Sequence, residues 1–277
     1  MANYLRQCAG GTTFNSGMAK CPFDPGHVKA LILVERGEKL PATITASSLE
    51  VACHADRPSR IYPVKSIVEF APEGGEVQTS EQGYGGSKIT GYSAFSPTWT
   101  MADADLNLRK MVMGAKSASF DCYFVDDNNV IYGQWAANGD FVGVQLNGIA
   151  AGGALFDTSS DSAELTIQTF VKDYENWLRN VAVQQLDFDV ESALTGLVFV
   201  KFEAVTDGYK LVTVADSLDV TSYYGALLQT NASTAMPNAT AVSYDASTNV
   251  LSITGTAELA KPSVLQTVGI LGIEQQL

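Results

Sequence analysis

Apolar residues along this chain change period several times, and each change marks an element. Met101, Ala104, Leu108, Met111 and Ala115 recur at three- and four-residue spacing, which gives a helix one core-facing stripe. Thr100-Met-Ala-Asp103 stands at the head of that run as a Ser/Thr-x-x-acid start signal. Asp103 and Asp105 suit the positive end of the helix dipole, and Gly114 suits its close. After Ser117 the period falls to two. Phe120, Cys122 and Phe124 alternate with Ser119, Asp121 and Tyr123, a strand with one buried face. Asp126-Asp127-Asn128-Asn129 tolerates turn geometry, and Val130-Ile131-Tyr132 begins the return strand. Phe141 to Ile149 is a third strand, and Leu165, Ile167, Thr169 and Val171 mark a fourth after the Asp157–Asp161 turn. Tyr174, Trp177, Leu178 and Val181 fit a short amphipathic helix. Leu186, Phe188 and Val190 then alternate with Asp187, Asp189 and Glu191, a strand with one acidic face.

Upstream, residues 1–26 are rich in Gly, Thr and Asn without a period and form an extended arm. His27 to Val34 is a strand with a continuous apolar centre. Pro41 to Ala46, Leu49 to Cys53, Val64 to Phe70 and Lys88 to Trp99 are further strands. Between them, Ala71 to Gly91 carries Pro72 and six glycines. A loop of that length inside a compact domain is either disordered or a long hairpin reaching onto a neighbour. Beyond Leu194 the composition shifts to Thr, Ser, Val and Ala. Gly196–Glu203, Tyr209–Val214, Tyr223–Gln229, Ala241–Tyr244, Val250–Thr254 and Val264–Leu271 are short strands there, with turns at Asp207-Gly208 and Asp245–Asn249. That spacing predicts a small β-sandwich of immunoglobulin type. The divisions are an arm over 1–26, a mainly β domain over 27–192 and a second β domain over 193–277.

Charge changes the picture. The 277 residues hold 17 Lys and Arg against 30 Asp and Glu, a net −13. Such a balance excludes a sequence-reading nucleic-acid binder, which needs a basic face. Asp121 to Glu191 alone holds twelve acidic and two basic residues. Beyond solubility, that concentration suits a surface that repels a polyanion passing within about 8–10 Å.

Candidate chemistry adds little. There is no Gly-x-Ser-x-Gly, no His-Glu-x-x-His and only two histidines, so no enzyme and no cofactor is expected. His54 beside Asp56 has no nucleophile motif with it. The Asp-rich turn lacks the glycine and distal Glu of a calcium loop, and Gly148–Gly153 lacks the spacing of a phosphate cradle. Cys8, Cys21, Cys53 and His54 are the set from which a zinc site could be drawn, yet they include no Cys-x-x-Cys pair. A Cys8–Cys21 disulfide stays open beside the reading of four reduced thiols in a protein made in a cytosol. The Met-Ala-Asn-Tyr-Leu-Arg start has no apolar signal core. No run nears the roughly 20 apolar residues that span a bilayer, so no membrane insertion is expected.

The arm, the β core with one helix, the loop Glu73–Gly91 and the added C-terminal β module together resemble the major tail tube proteins of long-tailed bacteriophages. The resemblance covers residues 25–192 for a tube-forming sandwich and 195–277 for a decorating module. It implies a virion protein of the tail, made in a host cytoplasm, whose copies close rings of six and stack. Its partners would be itself, other virion proteins, and double-stranded DNA as transient cargo of the lumen. Some of Asp121, Asp126, Asp127, Asp140, Asp187, Asp189 and Glu191 would face that lumen. Glu73, Glu76, Glu81, Tyr84, Gly85 and Gly86 would meet the adjacent subunit, with Tyr84 as anchor. Other readings are a tail terminator, a head–tail connector component, or a surface adhesin or carbohydrate-binding module. In that last reading Trp99, Trp135 and Trp177 would stack on sugars.

Overall fold

A computed structural model describes residues 25–102, 105–116, 118–157, 159 and 162–276. The arm over 1–24 with Cys8 and Cys21, the helix-signal residues Asp103 and Ala104, Ser117, and most of the Asp157–Asp161 turn lie outside the described residues. The chain is mainly β. In order it runs β1 (Val28–Glu35), α1 (Ala46–Cys53), β2 (Ile61–Val64), β3 (Ile67–Ala71), β4 (Val77–Glu81), β5 (Ser87–Tyr92), β6 (Thr98–Met101) and α2 (Leu106–Gly114). Next come β7 (Phe120–Asp126), β8 (Val130–Trp135), β9 (Phe141–Val142), β10 (Val144–Gly152), β11 (Leu165–Val171), α3 (Tyr174–Asn180), β12 (Val181–Gln185) and α4 (Val190–Ala193). The last part is β13 (Val198–Val205), β14 (Gly208–Thr213), α5 (Thr221–Thr230), α6 (Ala232–Ala235), β15 (Ala239–Asp245), β16 (Val250–Gly255), α7 (Pro262–Thr267) and β17 (Ile273–Gln275).

Ten of these strands form one sheet folded into two layers. β1 lies between β2 and β7, antiparallel to both, with Leu31 opposite Val64 and Phe124. β8 and then β12 continue the first layer. β10 joins β7 at Val144, slips register between Leu146 and Gly148, and pairs with β11 for the rest of its length. That irregularity carries the strand from one layer into the other. β6 and β3 complete the second layer. Leu31, Leu33, Cys122 and Phe124 of the first layer meet Trp99, Met101, Leu165 and Ile167 of the second in a dry core, and Val112 of α2 joins it.

β7 departs from the expected one-faced strand. Its other face, Tyr123 and Val125, is also buried, with Ala30 and Ile32 of β1, beneath Leu49, Ala52, Val190 and Leu194. α1 supplies that cover, so Leu49–Cys53 is helix, not strand. Leu49, Ala52 and Cys53 follow a helical period, and Thr45 and Ser48 cap its start reciprocally. Most of the expected strand over Pro41–Ala46 is the loop that leads into α1, with Ile44 and the preceding Leu40 buried. Leu186–Glu191 is likewise a bend leading into α4, because Asp189 caps that helix through the Ser192 amide. α2 begins after Asp105, whose carboxylate accepts the Asn107 and Leu108 amides. Met101 therefore belongs to β6 and not to the helix stripe.

The C-terminal part is one five-stranded sheet, β15-β16-β14-β13-β17, in which β17 runs parallel to β13. It is not the two-sheet immunoglobulin sandwich that the strand spacing predicts. Tyr223–Gln229 is inside α5, where Thr221, Gly225 and Leu228 are buried at helical spacing. Gly225 is required there, since a Cβ would lie 2.5 Å from the Tyr244 ring. Val264–Leu271 holds most of α7, which starts on Pro262 with Leu265 buried. Helices in place of a second sheet cover the apolar face formed by Val200, Leu211 and Leu251. Arg60, 5% exposed, ties the two sheets by a bidentate pair to Glu274 at 2.6 and 3.0 Å.

His54 follows α1, is 1% exposed, and has no hydrogen-bond partner on either ring nitrogen among the described residues. Burial lowers its pKa below the usual 6.5, Arg60 adds to that, and Glu50 opposes it. The unfolded chain therefore takes up the proton first as pH falls. Its neutral form supports the fold fully above pH 6.5, and that support fades as pH drops through the window below. His54→Leu is expected to lose less melting temperature than the wild type between pH 7 and pH 5. Equal losses in the two proteins would remove His54 as a source of acid sensitivity.

Candidate functional site

The expected loop over 71–91 is an ordered hairpin. β4 pairs antiparallel with β5, Val77 opposite Tyr92 and Glu81 opposite Ser87, around a short 3-10 turn at Gly83–Gly85. Its root is held firmly. The Ser93 amide donates to the Glu76 carbonyl at 2.9 Å, the Glu76 amide to Ser93 Oγ at 3.0 Å, and Gln168 donates to Glu73 at 3.1 Å. Gly75 packs so closely on Tyr174 that a Cβ there would lie 2.8 Å from its ring. Beyond the root nothing among the described residues covers it: Val77 is 51%, Ile89 65% and Tyr84 112% exposed. A lone two-stranded hairpin is marginal in water. Glu73 and Glu76 sit at its root, Glu81 at the end of β4, and Tyr84, Gly85 and Gly86 at its tip.

The folded sheet leaves strand edges free. β12 pairs only with β8 among the described residues, and its sequence Val-Ala-Val-Gln-Gln carries no charge and no proline. Beside it Trp135, Leu178 and Val181 are each at least 44% exposed. β3 ends the other layer with Val68 and Phe70 exposed and Glu69 as its single charge. β2, by contrast, has Pro63 in its middle. Open, unguarded edges of this kind invite another strand, and natural monomers block them with charge or proline.

The acidic residues separate into groups. Asp121 and Asp126 are 4% and 2% exposed, so the expectation that they face a lumen is corrected: both are structural. Asp121 lies 2.8 Å from Arg36 Nε and accepts the Gly37 amide at 3.1 Å. Burial raises its carboxyl above the usual range, against the Gly37 amide and Arg36. Asp126 accepts from the Gly26, Asn128 and Val130 amides and from the Tyr132 hydroxyl at 2.6 Å. A buried carboxylate with four donors organises the β7–β8 turn and the start of β1. Asp140 is paired with Lys39, which with Asn138 holds its carboxyl below the usual range. Asp127 grips His27 through backbone and ring, Asp189 caps α4, and Glu191 accepts the Ser66 amide. Asp127, Asp187 and Asp189 are exposed around one end of the sheet, where the Leu186 amide donates to the Asn129 carbonyl at 3.0 Å.

The other candidates are absorbed by the fold. Trp99 is buried and donates to Thr169, and Trp177 packs on Phe95 and Phe124, so the three tryptophans form no sugar platform. Cys53 is buried, and burial raises its thiol to about 11. Among the described residues no three His, Cys, Asp or Glu gather as metal ligands, and no helix is long and apolar enough to cross a membrane.

Sequence reasoning missed the structural acids because Asp121 and Asp126 differ from Asp127 only in surroundings. Asp126→Ala strands four donors and is expected to cost about 3–5 kcal/mol in denaturant unfolding. Asp187→Ala should stay within about 0.5 kcal/mol of wild type. Similar costs at the two positions would contradict the division.

No protein-family model matches the chain, and no curated protein does. Among solved structures it is similar to the cryo-EM structure of the anti-feeding prophage cap, a tube-terminating cap, at 12% identity and a TM-score of 0.26. The match covers 62% of this chain and 98% of that one. A TM-score at that level carries no argument about function, which is therefore read from the chain's own edges, hairpin and charge.

Proposed function

We propose that the chain is a structural subunit of a phage-type tail tube and has no catalytic role. Copies join edge to edge into rings, six-membered as in the tube proteins it resembles. The rings stack through the hairpin and enclose a channel through which double-stranded DNA passes. The observation that carries this reading is the unguarded β12 edge on a chain that also exposes β3 at the end of its other layer. Pairing one edge with the other on the next copy is a head-to-tail contact, which generates rings when the rotation closes. The hairpin extends about 15–20 Å past its root at the rise of a strand, enough to cross from one ring to the next. Other virion proteins would meet the ends of the tube.

With Asp121 and Asp126 inside the fold, the lumen-facing set narrows to Asp127, Asp187, Asp189 and Glu191. DNA carries about one charge per 1.7 Å of axis, so a wall bearing these groups lets it slide where a basic wall would hold it.

A lysine at Val181, which is half exposed, guards the β12 edge and should cost the fold no more than about 0.5 kcal/mol. In size-exclusion chromatography with light scattering, wild-type protein is expected as rings or larger assemblies and Val181→Lys as monomer. A variant that assembles like wild type would remove β12 from the contact. An assembly that stops at one ring would place the chain at a tube's end, as a terminator. Asp127→Lys with Asp187→Lys should assemble normally but slow genome ejection, and unchanged ejection kinetics would count against the lumen role.

A further inference from the structure

A groove of about 900 Å³ lies between β2, α2 and the segment entering β13, with Tyr62, Pro63, Leu108, Met111, Leu197 and Phe199 among its walls. It takes no part in the hairpin or the β12 edge. Its chemistry narrows the occupant. The cations along it are engaged: Arg60 with Glu274, Arg36 with Asp121 and the Phe120 carbonyl, Lys65 with the Glu191 carbonyl. Among the described residues no cluster of free positive charge is left for an anionic ligand. Pro63 at the β2 edge denies a full ladder to an added strand, so whatever enters does so with side chains. The rim carries Arg57, whose guanidinium also lies 3.8 Å from Glu35, and Asp105, the cap of α2. The Arg57 side chain is 66% exposed and lies over the Tyr62 ring at 5.9 Å.

The hairpin tip is complementary in shape and charge. Tyr84 is fully exposed between Gly83, Gly85 and Gly86, where an added Cβ would meet nothing nearer than 3.8 Å. The tip is thus a thin ribbon bearing a single aromatic ring. Glu81 and Lys88, one acid and one base, stand on its two strands just behind the turn. They can face Arg57 and Asp105 across the rim. The hairpin does not fill the groove of its own chain, since nothing among the described residues hides Tyr84.

We infer that Tyr84 of one copy seats in this groove on another copy, with Glu81 toward Arg57 and Lys88 toward Asp105. The inference rests on the self-assembly reading, and it names the surface that receives the hairpin. An aromatic ring inside an apolar groove with its hydroxyl at a polar rim is the arrangement tyrosine favours at interfaces. Because plug and socket are different surfaces, the contact repeats from copy to copy.

The test is a photo-cross-linking benzoyl-phenylalanine at position 84 in the full chain, irradiated after assembly and mapped by mass spectrometry. Cross-links to Tyr62, Leu108, Met111 or Phe199 of a second copy are expected, lost in the monomeric Val181→Lys background. Tyr84→Ala should abolish stacked assemblies, Tyr84→Phe should retain them, and Arg57→Glu should be rescued by Glu81→Arg. Assemblies whose cross-links from position 84 fall outside the groove would overturn this inference and leave the tube reading standing. So would a cross-linker at position 111 that captures residues 1–24. Protein that stays monomeric and gives no cross-link would overturn both.

Discussion

Strands β1 and β7 have no wet face, and the rest of the structure follows from that. Their shared register from Val28 to Glu35 stacks Leu31, Leu33, Cys122 and Phe124 on one side and Ile32, Tyr123 and Val125 on the other. At about 25 cal/mol per Å² of apolar surface removed from water, neither side can be left open. One side recruits the second β layer through the bend in β10. The other recruits α1 and α4. Once both faces of these two strands are covered, the exposed parts of the sheet include its edges and the hairpin that leaves it at Gly74 and Gly75. A sheet whose faces are already used leaves its edges as the surfaces on which the proposed self-assembly rests.

Much of this was legible in periodicity, and the failures share a cause. β11 alternates buried and partly buried residues over Leu165–Val171, as its sequence does. The turn over Asp126–Asn129 was readable because Asn129 takes a positive φ of 59°, which Asn tolerates. Leu49–Cys53 and Tyr223–Gln229 look like strands in sequence because a short apolar run has no period of its own. Burial at Leu49, Ala52 and Cys53, or at Thr221, Gly225 and Leu228, shows the helix only once the surface beneath is known. The same held for β7, where polar Asp121 and amphipathic Tyr123 stood for solvent in the sequence and found partners in the fold.

Net charge misleads in a similar way. The acidity of Asp121–Glu191 is a property of the chain, whereas a lumen needs acidity on a surface. Two of its acids are interior ligands of backbone amides and another is neutralised by Lys39. Asp189 and Glu191 serve local structure and stay exposed or partly exposed. The acidic surface is consequently smaller than the count suggests. Asp127, Asp187 and Asp189 are exposed at the β7–β8 turn and the bend before α4, while Asp157 and Asp173 are exposed elsewhere, after β10 and before α3.

Electron microscopy of purified wild-type protein tests the central claim most directly. The account predicts hollow rings or stacked tubes in which adjacent copies continue one sheet, with the β7–β8 turn and the bend before α4 toward the bore. Solitary globules, or rings whose inner wall is basic, would contradict it.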